Sequence, residues 1–490
     1  MQAASLAELA PCAGAPGGMG NFGADAFVSA APGSGKTLAY LVPALANLSP
    51  NLFSVSDVLR QGGASLIQPL ILVAVPSREL GAQVALLLWR LLGGNSSAGG
   101  GTAARGPGDA TNMFQYKGPR GVRVVGVLDP ADVGRAVEDC LLDGASIVVG
   151  RPDLLAACYR QGALDMPSVQ YVVVDEADEC VKRWYDDVAA LLTAPPSGPR
   201  QTVLCGATVP RTLRQAALQS EWVQEPALIA ERPELAEAAA AGDSLIEGAG
   251  ADHALWELPC SINHRAVVAD SGRTLVTLTR LLREDCEAAA AAGGEPPRTV
   301  IYVAAEEEAA LVASALRKAL WGHHTILALL PSGVAPLRTL EIFRDGGGSA
   351  LVATPDSSRG LDFPRVARVY LLWSGIHSAD LDALLPADSA LAAVVEANVT
   401  STAKSPWGEQ DYVHASGRCG RIGNPTQGVV TTICTSREEL AAVEQVGAAL
   451  GVEIEEIEGP RAREGSAEAL NDLYYLLGPP GGDVDDVRGA

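Results

Sequence analysis

Ala30-Ala31-Pro32-Gly33-Ser34-Gly35-Lys36-Thr37, followed by the apolar run Leu38–Leu45, is the stretch that decides the fold. A mostly apolar run, Phe27–Ala30, precedes it. Strand, glycine turn and helix are what a phosphate cradle needs. Glycines let backbone N–H groups approach phosphate oxygens, and the helix N-terminus adds partial positive charge. In this reading Gly33, Ser34 and Gly35 line the cradle, Lys36 reaches the β- and γ-phosphates, and Thr37 holds Mg²⁺. The general pattern starts with Gly where this chain has Ala30. Glycine turns before helices also arise by chance, but Gly-Ser-Gly-Lys-Thr in this setting points to a nucleotide.

Downstream, Val172-Val173-Val174-Asp175-Glu176-Ala177-Asp178 places acids at the end of an apolar run that reads as a buried strand. Asp175 is positioned to hold Mg²⁺ through water and Glu176 to polarise an attacking water. That arrangement fits metal-assisted phosphoryl transfer. Alone, the same residues read equally well as a solvated acidic turn; Lys36 upstream favours the catalytic reading.

Seven apolar, β-branched runs read as buried parallel strands: Leu70–Val75, Tyr171–Val174, Thr202–Cys205, Thr299–Val303, Ala350–Ala353, Val366–Leu372 and Val429–Ile433. Most are nearly continuous runs, as strands covered on both faces should be. Helical patterns such as Arg78–Leu92 and Glu306–Leu320 lie between them. Alternation of this kind implies α/β domains with parallel sheets. A Gly/Ser/Ala-rich stretch, Gly93–Gly108, reads as a surface insertion. Residues 234–252, rich in alanine, glycine and acids, read as a linker between a domain at 1–233 and a second at 253–458. The irregular Gly375–Gly408 reads as an insertion or a disordered loop, and 459–490 as an acidic flexible tail.

With 490 residues, 48% of them hydrophobic, the chain can bury more than one core. It lacks a run long and apolar enough to suggest a membrane span, and Met1–Pro11 lacks the pattern of a secretory signal. The nine cysteines form no Cys-x-x-Cys pair, which disfavours a zinc ribbon and suits reduced thiols of an intracellular protein. A formal net charge of −22 argues against holding nucleic acid by bulk charge, though not against a local basic groove.

Asp175-Glu176-Ala177-Asp178, with the phosphate loop, resembles the DEAD-box ATP-dependent RNA helicase family. The resemblance runs from Gln2 to about residue 458. It implies two tandem RecA-like P-loop domains that clamp ATP between them and grip single-stranded or short duplex RNA. Pro76-Ser77-Arg78-Glu79-Leu80 is similar to the family's RNA-phosphate element, which assigns Ser77 and Arg78 to RNA. Gly206-Ala207-Thr208 stands where Ser-Ala-Thr is usual. The resemblance gives Ala207, Thr208, Asp178 and His414 a part in coupling hydrolysis to domain closure. Arg359-Gly360-Leu361-Asp362 resembles the motif whose Asp meets the ATP ribose. Gly417-Arg418-Cys419-Gly420-Arg421 resembles the arginine-finger motif, with Arg418 and Arg421 expected on one helical turn. Gln2 stands where the adenine-reading glutamine belongs, and the upstream aromatic residue of the family is missing.

The departures lie elsewhere. Arg151-Pro152-Asp153 replaces Thr-Pro-Gly, Thr354-Pro355-Asp356 replaces Thr-Asp-Val, and His414-Ala415 replaces His-Arg. Arg151 and Thr354 remain the RNA-side candidates at those motifs. ATP residues survive while RNA and coupling residues have drifted, which implies an ATPase with weak unwinding. The alternative is a pseudo-helicase, an ATP-binding scaffold for a protein partner. Val73–Gln83 and Arg200-Gln201-Thr202-Val203 look most like a plant chloroplast member. Trp89, Trp184, Trp222 and Trp256 read as packing residues before base-stacking platforms, and His323-His324 as an exposed pair before a metal site.

Overall fold

A computed structural model describes residues 24–30, 34–60, 69–93, 115–117, 122–207, 209–230, 258, 261–269, 273–320, 325–330, 336–361, 363, 365–374, 407–419 and 428–459. The chain divides into two compact units, Met1–Glu257 with Arg359–Leu361, and Leu258–Ser358 with Asp362–Ala490. The expected linker, the insertion after Gly93, the stretch 375–406, the His323-His324 pair and the tail beyond residue 459 lie outside the described residues.

Among the described residues the first unit holds one eight-stranded sheet. Its strands are β1 (Ala26–Ser29), β2 (Ile71–Ala74), β3 (Gln115–Lys117), β4 (Arg123–Val127), β5 (Ile147–Gly150), β6 (Tyr171–Val174), β7 (Gln201–Gly206) and β8 (Ala227–Ala230). They run in the order β3-β4-β5-β2-β6-β7-β1-β8. Every pairing is parallel except β3 with β4. The apolar runs explain this arrangement: β1, β2, β5, β6 and β7 are buried at every position, because helices cover both faces of a parallel sheet.

The second unit holds β9 (Ile262–Val268), β10 (Thr299–Tyr302), β11 (Ile326–Ala328), β12 (Ala350–Ala353), β13 (Arg368–Leu372), β14 (Gly428–Cys434) and β15 (Ile454–Glu456). Among the described residues they form a seven-stranded parallel sheet in the order β11-β12-β10-β13-β14-β9-β15. Helix ends are set by local chemistry. Glu306, Glu307 and Glu308 open the helix Glu306–Ala319, and Arg317 and Lys318 close it, each complementing the helix dipole. Ser436 caps Arg437–Ala449 by accepting from Glu439 N–H, while the Glu439 carboxylate reaches back to Thr435 N at 2.7 Å.

Seven described cysteines carry free thiols, all buried except Cys140. Among the described residues no helix is long and apolar enough to cross a membrane.

One polar link ties a helix to the second sheet. Asp285, on the helix Thr274–Ala291, accepts from Arg368 Nε at 3.0 Å and from the Tyr370 hydroxyl at 2.7 Å. Asp285→Ala should leave the buried Tyr370 hydroxyl without this acceptor, at a cost of about 1–3 kcal/mol. Urea unfolding followed on the second unit should show a lower midpoint, and an unchanged midpoint would refute the link.

Candidate active site

Parallel α/β sheets bind ligands outside the carboxyl ends of their strands. β1 and β6 flank β7 and both run parallel to it, so the loop after Ser29 and the turn after Val174 open at the same edge. The helix Lys36–Arg60 begins at the lysine itself. Gly35 enters it at φ +92°, a conformation a side chain would strain. Lys36 is buried, and its Nζ donates to Ala30 O at 2.9 Å. Ser34 Oγ is shielded from solvent and meets no hydrogen-bond partner among the described residues.

Asp175 and Glu176 are 3% and 4% exposed. The Tyr40 hydroxyl donates to Asp175 Oδ2 at 2.7 Å, and Glu176 N–H donates to Asp175 Oδ1 at 2.9 Å. Burial raises the Asp175 carboxyl from 3.8 to about 6, and the adjacent Glu176 charge adds to the rise. The Tyr40 hydrogen bond and the Lys36 charge pull the other way. Glu176 caps the helix Ala177–Leu192 in the left-handed region, at φ 47° and ψ 53°. Holding a non-glycine residue there costs roughly 1–3 kcal/mol and is typical of functional turns. Between the two loops, Ser29 Oγ donates to Ala207 O at 3.5 Å. Asp178 is half-buried in the first turn of the same helix.

This constellation suits one chemistry. A buried carboxylate pair whose Asp175 carboxyl stays raised, beside a lysine and the Thr37 hydroxyl, fits Mg²⁺, which takes one or two carboxylates together with phosphates and waters. Among the described residues no group of three or more His, Cys, Asp and Glu side chains is placed to hold a metal.

The profile of the DEAD/DEAH box helicase family matches residues 18–216. The Escherichia coli (strain K12) ATP-dependent RNA helicase DeaD is 31% identical over 205 residues, which is 42% of this chain and 26% of that protein. The chain thus spans about a quarter of that relative's length. The Schizosaccharomyces pombe ATP-dependent RNA helicase dbp3 is 28% identical over 432 residues, 86% of this chain and 57% of that protein. Among solved structures, S. cerevisiae Dbp5 bound to RNA and ADP BeF3 superposes with a TM-score of 0.61 at 17% identity, covering 97% of this chain and 93% of that one. Over residues 18–216 this chain is similar to the DEAD/DEAH box helicase family. At that identity the structural likeness establishes the fold, two RecA-like P-loop units.

Ser77 and Arg78 follow β2, Arg151 follows β5 and Asp129 follows β4, three strands that are neighbours in the sheet. Ser77 caps Arg78–Leu91, its Oγ accepting from Leu80 N–H at 3.2 Å. Arg78 Nη2 lies 3.2 Å from Asp129 Oδ2. Arg151 forks onto Asp153 at 3.1 and 2.5 Å, and its guanidinium sits 5.4 Å from the Trp184 ring centre. Trp184 occupies a kink in its helix, at φ −138° and ψ 51°. Trp222 packs in the core against Tyr185, as a packing tryptophan should.

In the second unit Thr354 and Ser357 exchange hydrogen bonds at 3.0 and 3.2 Å, so Thr354 caps the short helix Pro355–Ser358. Gly360 adopts φ +67°. His414 is buried on the helix Glu409–Ser416. That helix ends with Gly417 as its C-cap, which corrects the expectation that Arg418 sits on a helical turn. Arg418 follows the cap, buried, with its guanidinium 5.6 Å from the Phe363 ring centre. Gln2, Gly33, Thr208, Asp362, Arg421 and Trp256 lie outside the described residues. Sequence reasoning missed Tyr40, Asp129 and the Arg151–Trp184 stack. For Tyr40 the sequence held no signal, because its partner Asp175 lies 135 residues away.

A raised Asp175 makes ionisation costly to the folded state. The cost is absent below about pH 4, the unfolded value, and grows until the pH passes about 6. Asp175→Asn removes it. The nucleotide-free variant should therefore unfold later than the parent at pH 8, by a margin on the order of 2 kcal/mol that closes toward pH 4. Chemical denaturation at both pH values measures the margin; a margin that does not depend on pH would contradict the assigned burial cost.

Proposed function

We propose that this chain is an ATP-dependent RNA helicase that binds ATP with Mg²⁺ at the carboxyl edge of the first sheet and hydrolyses it. The observation that carries the reading is the buried Asp175–Glu176 pair, tied through Tyr40 to the helix that starts at Lys36. Thr37 and Asp175 would hold Mg²⁺, which would supply positive charge to the phosphates. Lys36 adds its own charge at the β- and γ-phosphates. Glu176 accepts a hydrogen bond from the attacking water and aligns it. Catalysis of phosphoryl transfer is chiefly positioning and charge of this kind. Gln2 and Asp362 are the candidates for adenine and ribose, Gly360 accompanies Asp362 in its motif, and Arg418 and Arg421 are the candidates for charge on the γ-phosphate. Ala207, Thr208, Asp178 and His414 are the coupling candidates.

Lys36→Ala should abolish turnover. Glu176→Gln should retain ATP binding and slow hydrolysis by roughly a hundredfold or more. Nucleotide affinity and single-turnover hydrolysis, measured separately on each variant, decide the point. Hydrolysis at the parent rate by either variant would refute the assignment.

RNA is the proposed substrate, gripped by Ser77, Arg78, Arg151 and Thr354. Yet Arg78 and Arg151 already face carboxylates of their own chain. RNA phosphates must displace Asp129 and Asp153 to reach them, which supports a modest, salt-sensitive grip. The same ion pairs favour the second reading, an ATP-binding scaffold for a protein partner with little unwinding. RNA-stimulated ATP hydrolysis separates the two. In the likeness to plant chloroplast members, Arg200 has a structural task, donating to Val169 O, Ala194 O and Met166 O.

Asp153→Asn should raise the affinity for single-stranded RNA several-fold at low salt, with the gain shrinking as salt screens the site. Fluorescence anisotropy at two salt concentrations tests it. An affinity that ignores the substitution would mean that Arg151 does not meet phosphate.

A further inference from the structure

Tyr40 is fully buried on the helix Lys36–Arg60, one turn beyond Thr37 and on the same face. A buried phenol needs a partner for its hydroxyl. Apolar surroundings are satisfied equally well by phenylalanine, so the hydroxyl calls for its own explanation. It donates to Asp175 Oδ2 at 2.7 Å across a sequence gap of 135 residues. Thr37 lies in the first turn of the same helix, three residues before Tyr40. The Tyr40 carbonyl also accepts from the Tyr171 hydroxyl at 3.4 Å, which ties this helix turn to β6, the strand that ends in Asp175.

One side chain thus ties the helix turn that carries Thr37 to the Asp175 carboxylate. We propose that Tyr40 is a positioning residue: its hydroxyl fixes the Asp175 carboxylate, against the helix turn that carries Thr37, in the arrangement that receives Mg²⁺ with the nucleotide. The proposal rests on the nucleotide reading of this site. With Oδ2 held by Tyr40 and Oδ1 by Glu176 N–H, the carboxylate plane cannot rotate, and its remaining lone pairs keep one direction. Removal of the hydroxyl leaves only the Glu176 bond. A bond from a neutral donor to a buried carboxylate is among the stronger ones, and its loss should loosen Mg²⁺ binding by on the order of tenfold.

The test is Tyr40→Phe in the full chain, compared with the parent and with Lys36→Ala. Three quantities are read: thermal unfolding without ligand, binding of fluorescent ADP with and without Mg²⁺, and the Mg²⁺ concentration that half-saturates ATP hydrolysis. The expected result is a ligand-free stability lower by no more than about 1–3 kcal/mol, the cost of one lost bond, with unchanged Mg²⁺-free ADP affinity and a half-saturating Mg²⁺ concentration about tenfold higher. In Asp175→Asn, adding Tyr40→Phe should cost little more, because both act on one carboxylate. A large drop in ligand-free stability would show a structural role and overturn the proposal. So would a Mg²⁺ dependence equal to that of the parent, provided the parent binds Mg²⁺·ADP in a Lys36-dependent way. A parent that binds no nucleotide would overturn the nucleotide reading first, and this proposal with it.

Discussion

Two carboxylates, Asp175 and Glu176, lie side by side and almost solvent-free at the carboxyl end of β6, and the first unit is organised around that unfavourable pair. Like charges in a low-dielectric site repel, and each has lost its hydration. The chain compensates only in part. Tyr40 gives one hydrogen bond, the Glu176 backbone another, and Lys36 an opposing charge, and Asp175 still stays well above its ordinary range. A carboxyl held this high favours an added positive charge, and the left-handed turn at Glu176 sets the direction of the second carboxylate without a glycine's freedom.

The same sheet edge treats its other half differently. After β2, β4 and β5 the charges are already matched, Arg78 with Asp129 and Arg151 with Asp153, and the Arg151 guanidinium lies over an aromatic face. Exposed or half-exposed pairs of this kind contribute little to stability, generally under about 1 kcal/mol. Their consequence is for binding. An incoming anion meets arginines that carry their own counter-charge, so it gains only the difference between two pairings.

Much of the fold could be read from the chain because parallel strands covered on both faces must be nearly continuous apolar runs. Tyr171–Val174 and Ala350–Ala353 are strands with the expected bounds, and Arg78–Leu92 is a helix to within one residue. Part of what escaped had a physical reason. β9 carries Asn263, His264 and Arg265, and its partly exposed positions break the apolar run. β3, β11 and β15 have three residues each, too few to show a period. In the site, Lys36, Thr37, Asp175 and Glu176 were legible because their motifs are contiguous. Tyr40 was not, because nothing local marks an apolar-helix tyrosine as the neighbour of a carboxylate 135 residues away. Asp129 was equally silent: only the adjacency of β4, β5 and β2 brings it to Arg78.

The contrast between the two halves of the edge has a thermodynamic meaning. A ligand stabilises the folded state in proportion to what it supplies that the protein lacks. Where Asp175 and Glu176 stand, a divalent cation would relieve the desolvation and repulsion that hold the Asp175 carboxyl up. The proposed nucleotide and metal would therefore bind with the local electrostatics. Where Arg78 and Arg151 stand, nothing is lacking, and a phosphate chain must compete with Asp129 and Asp153 through number and proximity of its charges. With −22 on the whole chain, long-range attraction does not help it. One parallel sheet thus presents two adjoining regions with an unequal supply of counter-charge. That supply is set by a few side chains at strand ends rather than by the fold, which both halves share.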